Sequence, residues 1–151
     1  MKLHVLAFLS LPVFFASLVC AQETRGRSPQ GKRDAPAQQA SREMFSLVQE
    51  VLLSGDVGAI RASMSGQVYL SLRGGVNGYY SANQAYYLLD QFLKAYRITS
   101  LKFTTYGESE SSPYATGSVY LTQKSSHERG QVYVSLSPSG GRWVISQISL
   151  Y

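Results

Sequence analysis

Residues 79–96, Tyr-Tyr-Ser-Ala-Asn-Gln-Ala-Tyr-Tyr-Leu-Leu-Asp-Gln-Phe-Leu-Lys-Ala-Tyr, leave the chain few ways to fold. Ser81 can cap a first helical turn through its hydroxyl while Gln84, three residues on, reaches back to the amide of Ser81, the reciprocal arrangement of a capping box. Ala85, Leu88, Leu89, Phe92, Leu93 and Tyr96 then recur at helical spacing and share one side of the helix. Tyr86, Tyr87, Asp90, Gln91 and Lys94 fall on the other side, with Asp90 four residues ahead of Lys94 in the favourable order for an ion pair. A helix so divided needs an apolar surface to lie on, and the chain that follows reads as sheet.

Four strands are expected after the helix, at about 101–106, 114–122, 131–136 and 143–150, separated by polar or Gly/Pro-rich turns short enough for hairpins. Upstream, a first helix opening near Ser41 would bury Met44, Phe45, Leu47, Val48, Val51 and Leu52 and end at Gly55. Asp56 would cap a short second helix carrying Val57, Ile60 and Met64 on one face, and Ser65-Gly66 would turn the chain out of it. Residues 68–73 alternate at period two and form a first strand. Gly74-Gly75 and Asn77-Gly78 read as a flexible approach to the organising helix, since their spacing matches neither a Walker loop nor a dinucleotide fingerprint. The order helix, helix, strand, helix and a run of strands argues an α+β fold with helices gathered on one face of an antiparallel sheet.

The amino-terminal end follows a different logic. Lys2, an almost wholly apolar run from Leu3 to Val19 broken by Pro12, and then Cys20-Ala21 read as a secretory signal peptide over residues 1–21. The run is too short to span a bilayer, so no membrane span is expected, and the chain is expected to be exported to the periplasm or the extracellular space. Cys20, the single cysteine, offers a lipid anchor as a minor alternative, although Val19 stands where a lipobox wants Gly, Ala or Ser. Residues 22–40 lack any large aliphatic or aromatic side chain and are expected to be a disordered polar spacer, leaving one domain at 41–151. Of 14 Lys and Arg against 9 Asp and Glu, Lys2, Arg25, Arg27, Lys32 and Arg33 precede that domain. Its own charges nearly balance, no RNP-like, helix-turn-helix or zinc-finger spacing is present, and nucleic acid is not expected as a partner.

Ser54-Gly55-Asp56, Val68-Tyr69-Leu70-Ser71-Leu72, Tyr79-Tyr80-Ser81-Ala82-Asn83-Gln84-Ala85 with Phe92, and Gly140-Gly141-Arg142-Trp143-Val144-Ile145 together carry a resemblance. Over residues 41–151 the chain resembles the nuclear transport factor two-like (NTF2-like, cystatin-like) superfamily, in which a strongly bent antiparallel sheet wraps a long helix into a cone. More narrowly, it resembles a family of small secreted bacterial proteins of unknown function on that fold. The resemblance implies a fold and carries over no activity, cofactor or catalytic residue.

Enzymes on that fold, such as ketosteroid isomerase, work with a carboxylate or histidine inside the cone. Here Glu43, Glu50, Asp56, Asp90, Glu108, Glu110 and Glu128 map to helix exteriors, a cap or hairpin turns; His4 lies in the leader and His127 in a turn. No catalytic residue, metal site or cofactor is therefore expected. Tyrosine is the unusual resource, with 11 in the chain. If Val119, Leu121, Val132, Val134, Leu136, Val144, Ile148 and Leu150 face the helix, alternation puts Tyr106, Tyr120, Tyr133, Trp143, Ile145 and Tyr151 on the opposite face, among Lys102, Thr104, Thr116, Ser118, Gln131 and Gln147. The expectation is a non-catalytic module of the cell envelope that binds a small ligand or an envelope protein through Tyr106, Tyr120, Tyr133 and Trp143, or at the cone mouth near Tyr79 and Tyr80. The alternatives are an isomerase- or dehydratase-like enzyme using an acid such as Asp90, and a structural homodimer joined through the outer sheet face.

Overall fold

The computed structural model describes residues 34–151, so the expected signal peptide, Cys20 and most of the spacer lie outside the described residues. Helix α1 (Asp34–Ser54) leads through a 3-10 helix (Val57–Ser63) into strands β1 (Met64–Leu72) and β2 (Val76–Ser81). Helix α2 (Ala82–Ala95) follows, then β3 (Arg97–Gly107), β4 (Tyr114–Gln123), β5 (Ser126–Ser139) and β6 (Arg142–Leu150). One six-stranded sheet runs in the order β2-β1-β6-β5-β4-β3. Its neighbours are antiparallel except β1 and β6, which run parallel.

The organising helix forms for the reasons its sequence gives. Ser81 Oγ accepts from the Gln84 amide and the Gln84 side chain accepts from the Ser81 amide, closing the capping box. Ala85, Leu89 and Phe92 are buried, while Leu88, Leu93 and Tyr96 pack partly buried against the same core. Phe45, Val48, Val51 and Leu52 of α1 join them, and Gly55, at φ +81°, ends that helix with its amide bonded to the Val51 carbonyl. The strands complete the core with Val68, Leu70, Ile98, Leu101, Phe103, Val119, Leu121, Val132, Val134, Leu136, Ile145, Ile148 and Leu150. Among the described residues no ionisable side chain is buried, and the buried polar residues are Ser41, Ser135 and Ser149.

Several boundaries differ from those expected. Helix α1 starts well before Ser41, so residues 34–40 are helical rather than spacer. Residues 36–40 are exposed, but polar contacts tie this turn down: Trp143 Nε1 donates to the Ala37 carbonyl at 3.0 Å, and Gln38 donates to Glu108. Asp56 precedes the 3-10 helix without making a side-chain cap. Ser65-Gly66 lies inside β1 rather than turning the chain, and the expected approach to α2 is a strand. Only Gly74-Gly75, at φ +98° and +104°, makes the turn; Val76 to Ser81 then pair back along β1. Likewise β4 and β5 are joined by Lys124-Ser125 alone, which moves His127 from a turn into β5, opposite Thr122.

Candidate binding face

Opposed residues of paired strands share a face, so the register sorts the aromatic side chains. Three insertions disturb that sorting. Thr99 and Thr104 are each an extra residue on β3 relative to β4, and Ser146 is an extra residue on β6 relative to β5. An extra residue exchanges inward for outward beyond it. Tyr106 is thereby turned inward, its ring 5.8 Å from that of Phe45 and 6.2 Å from that of Phe103. Trp143 turns to the helix side and bonds α1, and Ile145 is fully buried in the core cluster. Val144 is buried but stands apart from that cluster, the reverse of the expected order.

Of the six residues singled out by sequence, Tyr120 and Tyr133 do stand on the outward face. Tyr79 occupies the same face at its far edge on β2, 73% exposed, with its ring 5.1 Å from that of Tyr69. Tyr80 leans inward and packs against the core. The six therefore do not form one site. Tyr106 and Trp143 belong to the docking of α1, where Arg42 stacks over Tyr106 at 4.4 Å and bonds Glu108 at 2.7 Å. A cavity of about 300 Å³ lies beside this junction, lined by Ala37, Gln38, Ser41, Glu108, Ser109, Glu110, Pro113 and Trp143.

The outward face of β3, β4 and β5 has a more distinctive chemistry. Its side chains are Arg97, Ser100, Lys102 and Thr105 on β3, Tyr114, Thr116, Ser118, Tyr120 and Thr122 on β4, and His127, Arg129, Gln131, Tyr133 and Ser135 on β5. None is aliphatic and none is a carboxylate. Tyr114 and Tyr133 stack at one end, ring centroids 5.5 Å apart and planes at 21°. Gly107 makes room for them, since a Cβ there would fall 2.0 Å from the Tyr114 ring. Tyr120, 47% exposed, stands toward the other end. Tyr133 lies opposite Thr116 and Tyr120 opposite Arg129, which separates the two along the strands by about 13 Å at about 3.3 Å per residue.

Between them lies a groove of about 500 Å³ lined by Arg73, Thr104, Thr116, Gly117, Ser118, Arg129, Gly130, Gln131 and Tyr151. A separate hollow of about 530 Å³ lies at the sheet edge toward α1, lined by Leu53, Arg97, Ile98, Thr99, Thr122 and His127. Arg73 is ion-paired with Glu128, and Arg129 Nη2 donates to Ser118 Oγ at 3.5 Å. Arg97, Lys102 and Arg129 pair with no carboxylate among the described residues. Hydroxyls, amides and cations line the groove, a set that donates hydrogen bonds to an oxygen-rich, negatively charged ligand. In the sequence Arg129 falls in a stretch that reads as a turn, and only the alternation of β5 continued back from Gln131 brings it onto this face, opposite Tyr120.

Asp90, the acid on which an enzymatic reading would lean, sits on the surface of α2 with Oδ2 2.7 Å from Lys94 Nζ. The hydrogen bond and charge of Asp90 raise the Lys94 pKa above its ordinary value. Among the described residues no group of three or more His, Cys, Asp or Glu side chains could hold a metal ion, and no helix is long and apolar enough to cross a membrane.

A mixed sheet with its helices in this arrangement defines an NTF2-like fold. An NTF2-like protein from Anabaena variabilis superimposes with a TM-score of 0.60 at 12% identity, covering 76% of this chain and 87% of that one. Residues 45–150 match the domain of unknown function DUF4783, and the chain belongs to that family. The structure of a DUF4783 family protein from Bacteroides uniformis matches with a TM-score of 0.59 at 14% identity, over 70% of this chain and 93% of that one. One from Bacteroides ovatus gives 0.58 at 15%, over 69% and 90%. No curated protein matches the chain.

Proposed function

We propose that this protein is an exported, non-catalytic binding module whose working surface is the outward face of β3, β4 and β5. The observation that carries this reading is the contrast between two sides of the sheet. Beneath α2 the sheet is packed with apolar side chains and no ionisable group is buried among the described residues, whereas the outward side offers a groove of about 500 Å³ lined by hydrogen-bond donors, larger than the cavity of about 300 Å³ at the α1 junction. General acid-base chemistry needs an ionisable group within about 2.6–3.2 Å of the substrate proton, or one water away. Asp90, its side chain 23% exposed on the flank of α2, is held in an ion pair by Lys94. Self-association through the outward face would bring together two surfaces that carry Arg97, Lys102 and Arg129 and no acid, which favours an unlike occupant.

A thermal-shift screen of the mature chain against small ligands and oligosaccharides, paired with product analysis of every hit, tests the proposal. The expected result is stabilisation that Arg129→Ala removes, without turnover. Product formation abolished by Asp90→Asn in a folded variant would overturn it in favour of an enzyme.

A further inference from the structure

The spacing of the cations narrows the kind of ligand that the outward face suits. Lys102 and Arg129 lie two strands apart and two residues apart along them, because Ser118 opposes both Lys102 and Gln131 while Arg129 opposes Tyr120. Arg97 stands in the same relation to Arg129 on its other side, opposite Thr122 and so across from His127. With strands about 4.8 Å apart and residues about 3.3 Å apart, each cation is about 12 Å from Arg129. Between these charges stand only hydroxyl, amide, imidazole and tyrosine side chains.

That pattern matches a polymer whose negative charges are sparse and whose remaining groups are hydroxyls. Nucleic acid carries a phosphate on every nucleotide and would leave most of its charge unmatched by three cations at such intervals. An acidic peptide would bring aliphatic side chains to a face that has no apolar counterpart for them. We infer that the outward face of β3–β5 binds an acidic polysaccharide, with Arg97, Lys102 and Arg129 reading carboxylates spaced along the chain and Tyr120 offering its ring to a sugar face between them. This rests on the binding-module reading and specifies its ligand class.

The test is titration of the mature protein with hyaluronate, whose carboxylates fall on alternate sugars, and with dextran, poly-glutamate and a single-stranded oligonucleotide, by isothermal calorimetry at two salt concentrations. Binding to hyaluronate is expected, weakening with salt and weakening about tenfold in Arg129→Ala, as loss of one charge-assisted hydrogen bond implies. Lys124→Ala, in the turn outside the face, should bind as the parent does. Equal affinity for uncharged dextran, or no binding to either polysaccharide, overturns the inference. Preference for poly-glutamate or the oligonucleotide that Arg129→Ala abolishes also overturns it while leaving the binding module standing. A ligand turned over to product would remove both readings.

Discussion

Replacing Phe45 by Ala tests how α1 is held to the sheet. The Phe45 side chain is 2% exposed, its ring 6.1 Å from that of Phe103 and 5.8 Å from that of Tyr106. An aromatic side chain buries about 150–250 Å², which at about 25 cal/mol per Å² is worth roughly 4–6 kcal/mol before the retained Cβ is subtracted. Buried Phe→Ala substitutions cost about 3–5 kcal/mol when the cavity remains open. The upper part of that range is expected, because Phe103 on β3 and Tyr106 beyond its bulge are fixed by strand pairing and cannot collapse into the space. Domains of this size are stable by only about 5–15 kcal/mol, so the variant should fold with a thin margin. With a urea dependence of about 1.5–2 kcal/mol per M, the unfolding midpoint should fall by about 2–3 M, followed by far-UV circular dichroism. A midpoint that moves by less than about 0.5 M would show that α1 is not docked as described, and the inward placement of Tyr106 would fall with it.

Gly117→Ala should be among the most disruptive single-methyl changes, because the new Cβ would lie 1.9 Å from the Lys102 carbonyl oxygen in the β3–β4 pairing; loss of amide-exchange protection in β3 measures it. Ser81→Ala removes the cap of α2 and should cost about 1 kcal/mol, read from a denaturant midpoint at unchanged slope. Lys124 sits at φ +54° in the two-residue turn between β4 and β5, so Lys124→Gly should relieve the left-handed conformation and stabilise by up to about 1 kcal/mol, visible as a raised melting temperature.

How far the sequence could be read depended on what set each feature. Helix α2 was legible to its cap because the signal is local: Ser81, Gln84 and the stripe from Ala85 to Tyr96 are contained within a few turns. The core stripe of α1 was legible for the same reason. Strand faces were legible only as far as alternation ran undisturbed, so Val119, Leu121, Val132 and Val134 were placed correctly. Beyond Thr104 and Ser146 the parity reversed, and Tyr106, Trp143, Val144 and Ile145 were each assigned to the wrong side. A bulge is decided by how two strands pair, and nothing in Thr104 or Ser146 itself announces it. Strand β2 was hidden by Asn77-Gly78, which reads as a turn until Tyr69 and Tyr79 are seen to be partners. The candidate face is half visible in the sequence: alternation alone puts Tyr120, Tyr133, Ser118, Gln131 and Lys102 on it, whereas Arg97 and Arg129 lie in stretches that read as connections.

The parallel pairing of β1 with β6 bears on how the chain is made. Leu70 and Leu72 lie beside Ile148 and Leu150, so an early strand finds one of its two neighbours only once β6, the sixth strand of the sheet in chain order, has been made. Until β6 emerges, β1 and β2 form a two-stranded hairpin backed by α2 alone, cut off from the other strands of the sheet. Settling of the domain is thus deferred until β6 has emerged. A chain cut short before β6 should be cleared by proteases rather than persist as a smaller working protein.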